Sequence, residues 1–182
     1  MNAKTYRNTV RTKLQSIFPA ERVEREWDPV RYDPHFSNHK EVYAPRHDLA
    51  VGPFNSYADL DCGIDNTKRL WSHRFTQGLI REKLQGGVHR KELWNSFSRC
   101  FLAVELEFSG SSKHVFRSIV NASVSGSLAI IVAKSQNRDK VDRIVSYLFR
   151  LESLERLRLK TIANLFVFSE SEFVEFLSTF ET

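Results

Sequence analysis

The sequence predicts an α/β fold in which a central mixed sheet of about four to five strands is flanked by helices. Two observations in the second half of the chain predict this class. Short apolar runs alternate there with amphipathic segments, in the order strand, helix, strand, helix, strand, helix. The run at residues 128–133 contains no polar residue, which is typical of a strand covered on both faces. Because crossover helices join parallel strands, at least part of the sheet is predicted to be parallel.

Length and composition bound the class further. The chain has 182 residues, of which 41% are hydrophobic, so it is long enough for a single domain, residues 1–182, and too apolar to be disordered. No stretch approaches the ~18 uncharged apolar residues of a membrane-spanning helix, and the N-terminus lacks the apolar core of a signal peptide. Two cysteines, Cys62 and Cys100, cannot form a disulfide framework. We therefore expect a mature cytoplasmic protein with no membrane partner.

The first half of the chain predicts few regular elements. Apolar residues at four-residue spacing over residues 6–18 predict an amphipathic helix that ends at Pro19. The polar residues 21–39 predict a helical turn followed by an irregular excursion. Strands are expected near residues 41–44 and within the apolar run 46–54, which turn residues bound.

Residues 55–99 are predicted to form a helical insertion before the next strand. They comprise a loop or short helix at 55–65, a helix at 67–84 that two glycines end, and a further short helix at 88–98.

Each element of the second half is predicted by its own signal. Residues 101–108 predict a strand, Ser111 or Ser112 can cap a helix that runs to about residue 124, and Gly126 ends that helix. The later elements are a strand at 128–133, a helix at 138–157, a strand at 165–168, and a last helix to about residue 180 with Ser169 and Glu172 as its capping box.

The strand at 101–108 carries the residues that point to chemistry. Strand side chains alternate between faces, so Glu105 and Glu107 share one face while Leu106 lies on the other. Desolvating a lone carboxylate costs several kcal/mol, and two like charges side by side repel each other, so a positive partner is expected. A divalent cation fits this need, because Mg²⁺ prefers carboxylate and carbonyl oxygens. The alternative is an edge strand whose glutamates are solvated or paired with arginines.

At this point the sequence resembles the PD-(D/E)XK nuclease superfamily, which has the restriction-endonuclease-like fold. The matching residues are Pro45-Arg46-His47-Asp48 before residues 49–51, and Glu105-Leu106-Glu107 at the end of the strand. In that family an Asp begins a strand, a later strand carries Glu-x-Lys or a variant, and a helix and a strand follow. The resemblance covers residues 41–54 and 101–168.

The resemblance implies a metal-dependent nuclease that hydrolyses phosphodiester bonds, with DNA as the expected substrate. It implies that Asp48, Glu105 and the backbone carbonyl of Leu106 bind Mg²⁺ or Mn²⁺. Asp48, Glu105 and Glu107 would be the catalytic residues. Glu107 stands where the family usually has Lys, and it would orient or deprotonate the attacking water, or help to hold a second metal.

Auxiliary residues are expected around this motif. Lys113 after the strand is the first candidate for a cation near the scissile phosphate, with Lys134 as another, and Arg117 and Asn121 lie further along the same helix face as Lys113. The family often has an acidic residue on or after its first helix, and Glu24 or Glu21 are the candidates for it. Alternation along the strand predicts that His47 points away from the face of Asp48.

The insertion is expected to face the nucleic acid. Residues 66–99 carry a net charge of +6, more than the +5 of the whole chain. The expected nucleic-acid-binding residues are Lys68, Arg69, Arg74, Arg81, Lys83, Arg90 and Lys91. Exposed aromatic residues there, Trp71, Phe75, Trp94 and Phe97, would stack on bases. The alternative is a helical pair whose aromatic residues pack on the sheet and whose cations are solvated.

Two other functions stay open from the sequence. One is a catalytically inactive nucleic-acid-binding or assembly module of the same fold, in which the missing Lys marks lost catalysis. The other is an α/β enzyme that binds a metal for a small phosphorylated substrate. Symmetric cutting of DNA would call for a homodimer.

Overall fold

The structure is a computed structural model that describes residues 2–30, 45–54, 67–85, 95, 98–108, 110–153 and 162–181. The described residues contain a five-stranded sheet with the spatial order β1-β2-β3-β4-β5. The strands are β1 (Val23–Trp27), β2 (His47–Val51), β3 (Cys100–Glu107), β4 (Gly126–Ala133) and β5 (Leu165–Ser169). The pairs β1–β2 and β2–β3 are antiparallel, whereas β3–β4 and β4–β5 are parallel. The predicted α/β class with a mixed sheet is therefore confirmed.

Five α-helices in the described part of the chain flank this sheet, and their ends follow local capping signals. The helices are α1 (Ala3–Ile17), α2 (Arg74–Gln85), α3 (Ser112–Ser125), α4 (Arg138–Ser153) and α5 (Glu170–Ser178). Ser111 caps α3 by accepting the N–H of His114, and Ser169 with Glu172 forms the predicted capping box of α5. Gly126 is the first residue of β4 and follows the last residue of α3 directly, and a Cβ there would be 2.2 Å from the carbonyl oxygen of Leu128. Only glycine fits this direct passage from helix to strand.

The sheet is covered on both faces, which explains its unbroken apolar strands. One core lies between the sheet and α1, α2 and α5, and the other lies between the sheet and α3 and α4. Leu102 and Val104 of β3 belong to the first core, whereas Ala103 belongs to the second. The face that carries Ala103 also carries Glu105 and Glu107, by strand alternation.

Strand β1 contradicts the helical turn predicted for the polar residues after α1. Only Val23 and Trp27, at its two ends, are buried, so the apolar alternation that marks a strand is missing. Glu26 has a φ of 48°, in the left-handed region that a residue with a Cβ adopts at a cost of about 1–2 kcal/mol. Consistent with this break in the strand, Val23 packs in the first core and Trp27 in the second, although they are four residues apart.

Most other predicted elements agree with the structure where it describes them. The expected single helix at 67–84 is divided into a 3₁₀ turn (Arg69–Ser72) and α2, because the backbone of His73 between them is extended, with a ψ of 138°. The expected strand at 41–44, the loop or helix at 55–65 and nearly all of the helix at 88–98 lie outside the described residues. Within the described ranges, no helix combines the length and apolarity needed to cross a membrane.

Candidate active site

The structure brings the three predicted catalytic carboxylates together in one cavity. Antiparallel pairing sets Leu49 opposite Val104, which places Asp48 of β2 beside Glu105 of β3. Glu105 and Glu107 follow each other on the same face of β3. All three line a cavity of about 690 Å³, which is bounded by the first turns of α1 and by α3.

Asp48 is held by a charge and by a backbone group. Its Oδ1 lies 2.6 Å from a guanidinium nitrogen of Arg7, and its Oδ2 accepts the N–H of Leu106 at 2.9 Å. Burial nevertheless raises the pKa of Asp48, and the hydrogen bond from Leu106 and the charge of Arg7 only partly offset this. Arg7 also binds Glu26 at 2.8 Å, so one guanidinium joins two carboxylates.

Glu105 is the most strongly perturbed group of the cavity. The residue is 7% exposed, and burial, followed by the charges of Asp48 and Glu107, raises its pKa well above the usual range. Its Oε1 lies 2.6 Å from Nδ1 of His47. Burial lowers the pKa of His47 to about 4, so the imidazole is neutral at pH 7. The environment therefore favours the uncharged form of both partners unless a cation compensates the carboxylate.

The position of His47 corrects the prediction that it points away from the site. Its ring stacks on Trp27, its cross-strand partner, with ring centroids 5.8 Å apart. Trp27 lies in the second core after the left-handed Glu26, and His47 lies with it on the side of Glu105. Strict alternation fails here because His47 is the first residue of β2 and pairs with the distorted end of β1.

Glu107 is buried but faces an exposed histidine. Its side chain is 1% exposed, and its two carboxylate oxygens lie 3.2 and 3.3 Å from Nδ1 of His114. Gly110 also approaches this group, since a Cβ there would be 2.5 Å from Oε2 of Glu107. The carboxylate is therefore positioned from two sides, by the first turn of α3 and by the segment before it.

Of the auxiliary candidates, some reach the cavity and others do not. Arg117 and Asn121 line it, because α3 runs across the carboxylate face. Lys113 is exposed and does not line it, and Lys134 instead lies over the ring of Phe108, 5.6 Å from its centroid.

The acidic candidates near β1 are engaged elsewhere. Glu24 binds Arg22 and lines a neighbouring cavity, and the buried Glu21 forms an ion pair with Arg69. The acidic residue of β1 that is connected to the site is Glu26, through Arg7.

The aromatic residues of the insertion contradict the expected stacking surface where the structure describes them. Trp71 is 7% exposed and Phe75 fully buried, and both pack in the first core. Trp94 and Phe97 lie outside the described residues.

The expected nucleic-acid-binding cations of the insertion differ in whether they are already bound to other groups or are exposed. Arg69 pairs with Glu21, Arg74 donates to the carbonyl of Phe180, and Lys68 and Arg81 are exposed. The side chain of Lys83, and Arg90 and Lys91 altogether, lie outside the described part of the chain.

Three charged or titratable residues at the site have no sequence signal strong enough to find them. Arg7 is one of several cations on the polar face of α1, and only its spatial neighbour Asp48 distinguishes it. His114 follows Glu107 by seven residues, across a turn whose geometry the sequence does not reveal. For His47, the alternation rule predicts the opposite face, because it takes no account of the distorted end of β1.

The oxygen atoms that the predicted metal ligands supply are of the kind that a hard divalent cation prefers. Asp48 and Glu105 supply carboxylate oxygens, and the third predicted ligand, the carbonyl of Leu106, accepts the N–H of Phe108 at 3.2 Å. Across the part of the chain that the structure describes, no group of three His, Cys, Asp or Glu residues is placed to hold a metal ion. A cation at this position would therefore depend on two carboxylates and a carbonyl, and it would compete with Arg7 for Asp48.

Comparison of the chain with models of known protein families, with curated proteins and with solved structures finds no match in any of the three.

Proposed function

We propose that this protein is a metal-dependent nuclease that hydrolyses phosphodiester bonds, with DNA as its substrate. The observation that carries the proposal is the cavity in which Asp48, Glu105 and Glu107 meet. Three carboxylates in one cavity, two of them at most 7% exposed, repel each other and are costly to desolvate. Such an arrangement is typical of a functional site, since it does not stabilise the fold.

The order of elements supports the resemblance to the PD-(D/E)XK superfamily. Asp48 is the second residue of β2, and Glu105-Leu106-Glu107 closes β3. An antiparallel β1-β2-β3 meander is followed by the crossover helix α3 and the parallel strand β4. These features agree with the pattern on which the resemblance rests, and they are the reason to prefer a nuclease over other metal-dependent hydrolases.

Asp48, Glu105 and the Leu106 carbonyl are the residues that would hold the divalent cation. When bound, such a cation stabilises developing charge on the phosphate and lowers the pKa of a nearby water. Arg7 would give up its contact with Oδ1 of Asp48, and its guanidinium would then be available to the phosphate.

Glu107 is the residue of this chain that would receive the proton of the attacking water. Glu107 lacks the positive charge of the lysine that the family has at this position. Its carboxylate, which lies against Nδ1 of His114, can instead accept a proton. The water oxygen forms a bond to phosphorus as the bond to the leaving oxygen on the opposite side breaks. Arg46 and Arg117, which also line the cavity, are placed to neutralise the phosphate oxygens.

The test is cleavage of supercoiled plasmid DNA in the presence of Mg²⁺ or Mn²⁺. The wild type should nick or linearise the plasmid, and Glu105→Gln should abolish this. Glu175→Gln on α5 is a matched control, because it removes an exposed carboxylate away from the cavity. Titration calorimetry with Mn²⁺ gives a second readout, in which binding should be lost in Glu105→Gln and kept in Glu175→Gln. Absence of cleavage of any DNA or RNA form with either metal would overturn the proposal.

A second candidate function is a nucleic-acid-binding or assembly module without catalysis. Two observations favour it, namely the glutamate in place of the motif lysine and the guanidinium of Arg7 on Asp48. This candidate predicts DNA binding that weakens with salt but no Mn²⁺ binding. The nuclease requires both, so the calorimetric titration separates the two.

A further inference from the structure

A second cavity lies beside the carboxylate cavity and is lined mainly by charged residues. It measures about 660 Å³ and lies between α1 and β1. Its charged residues are Lys4, Arg7, Arg11, Glu24, Arg25 and Glu26. We call it the basic groove. Ala3 and Arg7 line both cavities, so the basic groove borders the site that contains Asp48.

The two acids of the basic groove are already neutralised. Glu24 accepts two hydrogen bonds from Arg22, at 2.5 and 3.0 Å, and Glu26 is bound by Arg7 at 2.8 Å. Arg22 is not part of the groove lining, so its charge offsets that of Glu24 from outside. The groove therefore presents a positive surface although it contains two carboxylates.

Two of the remaining three cations, Lys4, Arg11 and Arg25, are held in place by neutral groups. Arg11 donates through Nε to the carbonyl of Val23 at 3.2 Å, and Arg25 donates to Oδ1 of Asn8 at 3.1 Å. Among the residues that the structure describes, no carboxylate lies within 4.0 Å of Lys4, Arg11 or Arg25. A guanidinium that is oriented without being neutralised is well suited to bind a phosphate oxygen.

The spacing of these cations suits a polyanion more than a single anion. Lys4, Arg7 and Arg11 recur at intervals of three and four residues, so they lie along one face of α1. Seven helical residues span about 10 Å, close to three steps of a nucleic-acid strand at about 3.4 Å each. Within this row, Arg7 contacts Asp48.

We propose that the basic groove binds the sugar-phosphate backbone of the strand to be cleaved and leads it to the carboxylate cavity. This inference rests on the proposed nuclease function and names the surface that holds the substrate. It adds α1 and β1 to the surface expected to contact phosphates, because Arg69 of the insertion is already paired with the carboxylate of Glu21.

The experiment measures DNA binding in a Glu105→Gln background, so that the probe is not cut. The probe is a short fluorescein-labelled DNA duplex, and its affinity is read by anisotropy between about 50 and 200 mM salt. The variant Lys4→Gln/Arg25→Gln should lower the slope of log affinity against log salt by about 2, and the affinity by roughly 10-fold. Arg143→Gln/Arg150→Gln on α4 removes the same net charge from exposed positions, and its slope should stay unchanged.

A charge-conserving variant excludes a fold defect as the cause. Lys4→Arg/Arg25→Lys, which changes the same two positions, should keep the wild-type slope, because phosphate affinity of this kind depends on charge. With Glu105 intact, Lys4→Gln/Arg25→Gln should also cut plasmid more slowly, while its Mn²⁺ affinity stays that of the wild type.

The possible failures are distinguishable. Equal salt slopes for the two charge-removing variants, with plasmid cutting by the wild type retained, would overturn the groove and leave the nuclease in place. Loss of binding to anionic phospholipid vesicles in Lys4→Gln/Arg25→Gln, with DNA binding unchanged, would replace the nucleic acid by a membrane surface. A wild type that neither binds nor cuts nucleic acid would overturn both the groove and the proposed function.

Discussion

Replacing Glu105 by Gln should stabilise the metal-free protein at neutral pH while abolishing the proposed activity. Glu105 is 7% exposed, and burial together with the charges of Asp48 and Glu107 disfavours its ionised form. Gln has nearly the same shape and can either accept a hydrogen bond from His47 Nδ1 or donate one to it. The substitution therefore removes the free-energy cost of keeping this buried carboxyl protonated at neutral pH, or of burying its charge, and keeps its hydrogen bond. We expect a gain of about 1–3 kcal/mol, the range for relieving an uncompensated buried polar group.

The gain should depend on pH in a defined direction. Because the pKa of Glu105 is higher in the folded protein than its usual 4.5, the folded state holds the proton more tightly than the unfolded chain. Below about pH 4.5 the carboxyl is protonated in both states, and the variant should match the wild type. As the pH rises above this value, the wild type loses stability until the folded pKa is passed, whereas the variant does not. The difference between the two proteins isolates Glu105, because Asp48 and His47 titrate in both.

Chemical denaturation in the presence of a chelator, at about pH 4 and about pH 7, measures this difference. At a domain of this size, 1 kcal/mol also corresponds to a shift of about 2–4 °C in Tm. Glu175→Gln serves as the control, with an expected change within about 0.5 kcal/mol at either pH. A Glu105→Gln protein that is less stable than the wild type at neutral pH, or a gain that is equal at both pH values, would show that the buried Glu105 carboxyl does not destabilise the folded protein.

Three further substitutions test separate parts of the structure. Arg7→Gln removes the guanidinium that competes with a cation for Asp48, so calorimetry should show Mn²⁺ binding about five-fold tighter. This change corresponds to about 1 kcal/mol, the energy of a partly exposed ion pair. An unchanged Mn²⁺ affinity would argue against competition. Gly110→Ala places a methyl group against the Glu107 carboxylate. The rate of plasmid cutting should fall about 10- to 100-fold, while the Mn²⁺ affinity is retained. A wild-type rate would show that cutting does not depend on the position of this carboxylate. Ser169→Ala removes the cap of α5, and thermal denaturation should show a loss of about 1 kcal/mol with cutting unchanged; an unaltered Tm would mean that the cap contributes nothing to stability.

Regular elements with strong periodicity could be predicted from the sequence. Helices α1 and α3 follow the apolar spacing of a helix, and the apolar runs of β3 and β4 are short and bounded by polar residues or glycine, which favours strands. Capping residues such as Ser169 locate helix ends, because the side chain satisfies backbone groups that the helix itself leaves unpaired. Strand β1 could not be predicted, since its middle residues are polar and its place in the sheet depends on pairing with β2.

The carboxylates of the site could be predicted, but their surroundings could not. Alternation along β3 is a local property, so the spacing of Glu105 and Glu107 is enough to place them on one face of the strand. Arg7 and His47 depend on how α1 and the end of β1 approach β2, which no local pattern encodes. The burial of Trp71 and Phe75 could not be predicted from a local pattern either, because an aromatic residue in a basic segment can face either the core or a ligand.

The α/β class, most of the elements and the pair of glutamates on β3 follow from residue spacing within single segments, so they can be predicted from the amino-acid sequence. Which charges meet depends on packing between segments, which places Arg7 against Asp48, His114 against Glu107, and the row of cations on α1 beside the carboxylate cavity. The energy of a charge depends on its burial and on the partners that packing brings close, and Arg7 and Asp48 are 41 residues apart in the sequence.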